Sequence, residues 1–411
     1  MSSSASSPPV TTASAKKKGV FSSIGPAFIT AALVFGPGSI ATASSMGASF
    51  AYELLWVPVI ATILMLCFVN IGVRIGLTTD KSILGTITKR LTGVVAILVG
   101  IGSFLVVTSF QAGNSAGTGA AGQLLFGGDP RVFAVVFTVV GLVFVWIPKF
   151  YSVLEKVMIA IILVMLVAMI TTAVVSKPDM SAVIAGLVPR IPDGSAPLVV
   201  GLAATTFSVV GALYQIQLVR EKGWTATDFK SARRDAVIGT LILGVLSAVI
   251  MIAAAATLNP AGIEVSSPAA LAQILEPIGP WAVILFAIGL WCAAFSSMIG
   301  NSTIGGTMLA GVFKADGGGI SSLPVKLCIS LVIILGGVVA AVFGGVPIQL
   351  IVTAQAVTIL AVPLIGVVMV ILGRHRDRGT LRIGVPQLLL ALIGLAFLGF
   401  LAVTYLGNFL R

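Results

Sequence analysis

Phe35-Gly36-Pro37-Gly38-Ser39-Ile40 interrupts the first long apolar segment of the chain near its middle. Pro37 has no amide proton to donate, and Gly36 and Gly38 leave the backbone unrestricted, so a continuous helix is not expected here. The flanking residues are those of a membrane span. The stretch therefore reads as a broken membrane helix. In hydrocarbon, unwound backbone is tolerated only where protein buries it or where it lines a cavity, so a break at mid-depth marks a binding site. A proline kink without a ligand is the plainer alternative, and a second break further along the chain weighs against it.

Composition agrees with this reading. Of 411 residues, 58% are hydrophobic and 9% charged, a balance that no water-soluble domain of this length tolerates on its surface. Eleven apolar segments follow one another, at about 24–46, 54–75, 92–112, 131–147, 152–175, 198–219, 232–258, 279–312, 322–344, 347–372 and 383–409. Each is long enough to span the roughly 30 Å of bilayer hydrocarbon. The fold class is thus an all-α polytopic membrane protein. Cys67, Cys292 and Cys328 all fall inside apolar segments with no metal-ligand spacing and read as small core residues.

Residues 1–22 are rich in Ser, Ala, Thr and Pro and contain Lys16-Lys17-Lys18, the composition of a disordered cytoplasmic tail. With the N-terminus inside, 20 of the 24 Lys and Arg residues fall on the cytoplasmic side, leaving only Arg131, Lys177, Arg190 and Arg411 outside. The net charge of +11 is therefore a topology signal, and nucleic acid is not needed to explain it. The expected location is a plasma membrane of bacterial (inner-membrane) type, with the C-terminus outside.

The sixth segment carries the second interruption, the small and hydroxyl-rich run from Gly201 to Gly211, continuing into Ala212–Val219. Breaks in the first and sixth segments occupy corresponding positions if the chain holds two five-helix halves of inverted topology. On that basis residues 23–180 form the first repeat, 195–373 the second, and 383–411 an added eleventh helix.

Gly36-Pro37-Gly38-Ser39, the following Ala41-Thr42-Ala43-Ser44-Ser45-Met46-Gly47-Ala48 and Tyr52-Glu53-Leu54-Leu55-Trp56 resemble the first-helix signature of the NRAMP family of proton-coupled divalent-metal transporters. The resemblance extends from about residue 24 to 372. It implies the leucine-transporter fold, alternating access, and a substrate site between broken helices 1 and 6. This chain departs from the family at the chemical positions. Where the family reads Asp-Pro-Gly-Asn, with Asp and Asn as metal ligands, Gly36 and Ser39 stand here. Where the sixth helix of the family reads Met-Pro-His, Val209, Val210 and Gly211 stand here. Carboxylate, thioether and imidazole are all missing.

A dehydrated divalent cation needs oxygen ligands and normally a carboxylate. All 13 acidic residues are expected near one membrane face or the other, and the one histidine, His375, lies in a basic loop. A proton relay through the membrane lacks its usual parts as well. What remains is backbone, hydroxyls and two half-helix N-termini, expected near Ser39 and Gly211, an arrangement suited to an anion.

The candidate substrate-binding residues are Gly36, Gly38, Ser39, Thr42, Thr206, Ser208, Val209, Val210, Gly211 and Gln355, with Thr205 as a further hydroxyl. Close helix packing is the alternative role for each hydroxyl. No buried Lys or Arg accompanies them, which points to a small monovalent oxyanion, with bicarbonate first. By the same resemblance, Ser296 and Ser297 with the carbonyl of Phe35 are a candidate sodium site, sodium being the candidate coupling ion. Gln111 and Asn114 either turn toward the site or serve as polar helix contacts, the second being the first choice. The alternatives are a carrier of Mg²⁺ or Mn²⁺ and a non-transporting sensor or scaffold. An enzyme is not expected, because no nucleophile and base lie together at mid-depth.

Overall fold

In a computed structural model of the chain, the described residues are 36–79, 81–314, 317, 319–344, 347–375, 379 and 381–409, without the side chains of 148–157, 347, 356–357 and 408–409. The proposed tail 1–22, Phe35, Asp80, Asp316, Asp377 and the Glu155 side chain lie outside this set. The described chain is helical, with no strand among the described residues.

The second half of the first span is α1 (Pro37–Phe50), followed by α2 (Trp56–Gly76), the short α3 (Ile83–Arg90), α4 (Gly93–Phe126), α5 (Pro130–Trp146), α6 (Pro148–Val175) and the short α7 (Met180–Ala185). The broken sixth span is α8 (Ala196–Thr206) and α9 (Val209–Glu221). Then come α10 (Phe229–Thr257), the short α11 (Pro268–Ala272), α12 (Ala282–Val312), α13 (Leu323–Phe343), α14 (Pro347–Val357), α15 (Val362–Arg374) and α16 (Val385–Phe409). Among the described residues, eight helices, counting α8 and α9 as one, are long and apolar enough to cross a membrane, and α14 with α15 makes a ninth span bent by 48°. α5, at 17 residues, is a shorter apolar helix.

Helix starts follow local chemistry. Asp129 Oδ1 accepts from Arg131 N at 2.9 Å to open α5, Thr92 Oγ1 accepts from Val95 N at 3.2 Å to open α4, and Ser82 Oγ accepts from Gly85 N at 3.1 Å to open α3. Each satisfies an amide that has no partner within its helix.

Packing follows the symmetry of an inverted repeat. The second helix of each half packs on the broken helix of the other, α10 against α1 and α2 against α9, while the two third helices, α4 and α12, share the most extensive interface. α14 closes the group against α4, α8 and α1. The eleventh span stands outside and is tied on by a polar network. Gln387 Nε2 donates to Asn70 Oδ1 at 3.1 Å and to the Cys67 carbonyl at 3.3 Å, and Arg74 Nε donates to Asn70 Oδ1 at 2.8 Å.

Basic side chains gather at one end of the bundle. There Arg74 stacks over Phe229 at 4.8 Å and Lys222 Nζ donates to Asp235 Oδ2 at 2.6 Å.

The close contact of α1 with α10 depends on Gly47, where an added Cβ would run into the Met251 carbonyl and lie 2.9 Å from both Ala254 Cβ and Ala255 N. Backbone cannot step aside as a side chain can. Gly47→Ala should destabilise the protein by about 1–3 kcal/mol, read as a lower thermal unfolding temperature in detergent. Gly399→Ala, where a Cβ meets nothing within 4 Å, should show no such loss.

Candidate functional site

The two breaks meet at one small cavity. From the first break it is lined by Gly36, Gly38 and Ser39, and from the second by Thr205, Ser208, Val210 and Gly211. α4 contributes Val107, Phe110 and Asn114, α12 contributes Asn301 and Ile304, and α14 contributes Gln355. The spacings 107, 110, 114 and 301, 304 are those of single helix faces. The cavity holds about 20 Å³ of space open to the centre of a water molecule, room for about one water.

At the first break Gly36 is extended, with φ −107° and ψ 179°, and the helix begins at Pro37 with no side-chain cap. Pro37 has no amide hydrogen, so the first-turn amides of Gly38 and Ser39 are the donors left without an intrahelical acceptor. At the second break the chain leaves the helix at Phe207 and resumes at Val209. The resumption comes two residues before the expected position near Gly211, because Ser208 caps it, its Oγ accepting from Gly211 N at 3.3 Å. The Gly211 amide is thus spent on Ser208. The uncapped first-turn amides of α9 are those of Val209 and Val210.

The expected residues fall into two groups. Gly36, Gly38, Ser39, Ser208, Val210, Gly211 and Gln355 line the cavity. Thr42, Thr206 and Val209 do not, although all three are buried. The Thr42 methyl lies 3.5 Å from where a Cβ on Gly201 would stand, so this residue faces α8 and serves that helix contact. Thr206 turns its hydroxyl into protein, where it has no partner among the described residues. Thr205 lines the cavity, but its hydroxyl proton goes to the Leu202 carbonyl at 3.0 Å.

Two residues were not singled out as ligands in the sequence. Asn114 lines the cavity instead of serving only as a helix contact, with its Nδ2 donating to Gln111 Oε1 at 3.4 Å and its Oδ1 within 3.0 Å of where a Cβ on Gly36 would stand. Asn301 lies one turn beyond Ser297 on the same face of α12. The four-residue step from Ser297 is the signal that finds it.

The serines of α12 are buried, Ser296 at 1% and Ser297 at 0% exposure. Ser297 Oγ is 3.1 Å from a Cβ built on Gly36, which puts this hydroxyl beside the first break. The third expected member of that group, Phe35, lies outside the described residues.

None of the described residues that line the cavity is ionisable. Among the described residues, no three His, Cys, Asp or Glu side chains come together as a metal-binding group. The polar complement is three carboxamides, two serines, a threonine and the uncapped backbone amides.

Gln355 is 3% exposed, with its Oε1 unpartnered among the described residues and its carboxamide occupying the space a Cβ on Gly38 would need. Gly38→Ala should therefore displace Gln355. Its stability cost should shrink when combined with Gln355→Ala, giving an interaction energy of about 0.5–3 kcal/mol in a double-mutant cycle read by thermal unfolding. Additive costs would mean that the two residues do not touch.

The profile of the "Natural resistance-associated macrophage protein-like" family matches residues 27–407. A "Divalent metal cation transporter MntH" of Deinococcus radiodurans is 27% identical over 369 residues, covering 86% of this chain and 82% of that protein. A protein of the same name from Mycobacterium tuberculosis is 24% identical over 299 residues, covering 70% of each. Among solved structures, the Eremococcus coleocola manganese transporter (H236A mutant) superposes with a TM-score of 0.71 at 18% identity, over 93% of this chain and 85% of that one. Mhp1, a nucleobase-cation-symport-1 family transporter, superposes at 0.61 and 17% identity, over 93% and 89%. These likenesses show the fold, that of leucine-transporter-type carriers with broken first and sixth helices. The chain belongs to the Nramp family of secondary membrane transporters.

Proposed function

We propose that this Nramp-family transporter carries a small monovalent oxyanion, bicarbonate first, by alternating access. The observation that carries the reading is a cavity at the two helix breaks lined by no ionisable side chain and opened on by the N-termini of both α1 and α9. Each helix N-terminus acts as about +0.5 of an elementary charge, so two of them balance roughly one negative charge. A dianion such as sulfate would be left half uncompensated. The carboxamides of Asn114, Asn301 and Gln355 add donors for oxygen atoms and an acceptor for the hydroxyl of bicarbonate. Because the cavity has room for about one water, loading a larger ion requires the half-helices to part, which is the movement alternating access supplies.

Sodium coupling is part of the proposal. Ser297 beside the first break supplies a hard oxygen suited to Na⁺, with Ser296 and the Phe35 carbonyl as the remaining candidates. The expected orientation, with the basic end of the bundle in the cytoplasm, is retained with it.

A second reading is favoured by a specific finding: the curated relatives cited above are named divalent metal cation transporters, which matches Mg²⁺ or Mn²⁺ better than bicarbonate. In this chain such an ion would have to rest on carboxamide, hydroxyl and backbone oxygens while keeping part of its water shell. That no carboxylate lines the cavity among the described residues weighs against it.

Substitution at Gly36 separates charge from size. A Cβ there is tight, 3.0 Å from Asn114 Oδ1, so Asp and Asn crowd the site alike. Gly36→Asp should abolish bicarbonate uptake into proteoliposomes, while Gly36→Asn should retain a measurable part of it. Equal loss in both variants would remove charge from the explanation, and undiminished uptake with Asp would place the anion elsewhere. Ser39→Ala should weaken substrate binding by about 0.5–1.5 kcal/mol, one neutral hydrogen bond.

A further inference from the structure

A second, larger cleft of about 550 Å³ opens between α3, the first turns of α4 and the end of α12. Its polar wall carries Lys81, Lys89 and Lys314, three lysines from three segments: the turn before α3, the last turn of α3 and the turn after α12. Among the described residues, no acidic side chain lines it. Its apolar wall includes Leu84 and Ile97, and from Ile97 an outward ridge of α4 continues through Leu98, Ile101 and Leu105, each at least 40% exposed. In a membrane protein such a ridge faces lipid.

The backbone at Lys314 is a separate observation. It has φ 57°, in the left-handed region, at the position just past a helix end where glycine is usually favoured. This left-handed residue ends α12 at the cleft that Lys314 lines.

We propose that this cleft binds an anionic phospholipid of the leaflet bordering α3, its phosphate held by Lys81, Lys89 and Lys314 and its acyl chain lying along the α4 ridge. Basic pockets between membrane helices at the headgroup level recognise lipid phosphates through this pairing of charge and apolar wall. A soluble phosphate would use the lysines but gain nothing from Ile97, Leu98 and Ile101, so the lipid is the occupant that accounts for the whole cleft. The site is separate from the central cavity and stands whichever ion that cavity carries.

The test uses the full chain in nanodiscs of phosphatidylcholine alone or with phosphatidylglycerol, together with Lys89→Gln/Lys314→Gln. Phosphatidylglycerol should raise the thermal unfolding temperature of the wild type and remain bound through detergent exchange, as read by mass spectrometry. At roughly fivefold per lysine, the double variant should bind it about 30-fold more weakly, while unfolding at the wild-type temperature in phosphatidylcholine alone. Equal retention by wild type and variant, or no preference for phosphatidylglycerol, overturns the proposal. So does an equal stabilisation by inorganic phosphate added to phosphatidylcholine discs, which would make the ligand a soluble anion. If the double variant is unstable in phosphatidylcholine, Lys314→Gln alone carries the comparison, with an expected fivefold loss.

Discussion

Everything at the centre of this transporter depends on hydrogen-bonding groups that a membrane interior leaves nowhere to go. A helix that stops in hydrocarbon strands its first amides and last carbonyls, and each unsatisfied group costs several kcal/mol. The chain begins one helix there at Pro37, interrupts another at Phe207–Ser208, and brings both points to one cavity. Partial compensation is built in: Ser208 caps the Gly211 amide, and Pro37 removes one orphan donor by having none. The amides that remain, at Gly38, Ser39, Val209 and Val210, are left for whatever enters.

On the proposed reading, the uncharged wall of the cavity then decides what can enter. Had a carboxylate stood at Gly36, the positive ends of α1 and α9 would have been neutralised and a cation would be the natural guest. With Gly36 in place, the helix ends provide the strong local field among the described residues that line the cavity. The carboxamides of Asn114, Asn301 and Gln355 are neutral and present both oxygen and nitrogen, so they orient a guest without fixing its sign. The cation reading draws its strength from relatives, and the anion reading from the residues this chain presents.

The first break was legible because Gly-Pro-Gly has a local chemical cause, visible without knowledge of any neighbour. The second was legible only to within a few residues. The run from Gly201 to Gly211 has no proline, and the cue that places the restart is Ser208 as a helix cap. The orientation of individual hydroxyls was not legible. α1 is buried on every side from Pro37 to Ala48, so no apolar stripe tells which face Thr42 presents, and it faces α8 while Ser39 faces the cavity. Asn114 was read first as a helix contact and Asn301 was not singled out, for a related reason. They sit on unbroken helices far in sequence from either break, and only the packing of α4 and α12 against α1 brings them to it.

The most direct measurement is uptake by purified wild-type protein in proteoliposomes, comparing labelled bicarbonate with Mn²⁺ and Mg²⁺, each with and without an inward sodium gradient. The account predicts bicarbonate uptake, raised by the gradient, with no uptake of either metal. Metal uptake without bicarbonate uptake would contradict it, and would mean that carboxamide, hydroxyl and backbone oxygens at the two breaks suffice to carry a partly hydrated divalent cation.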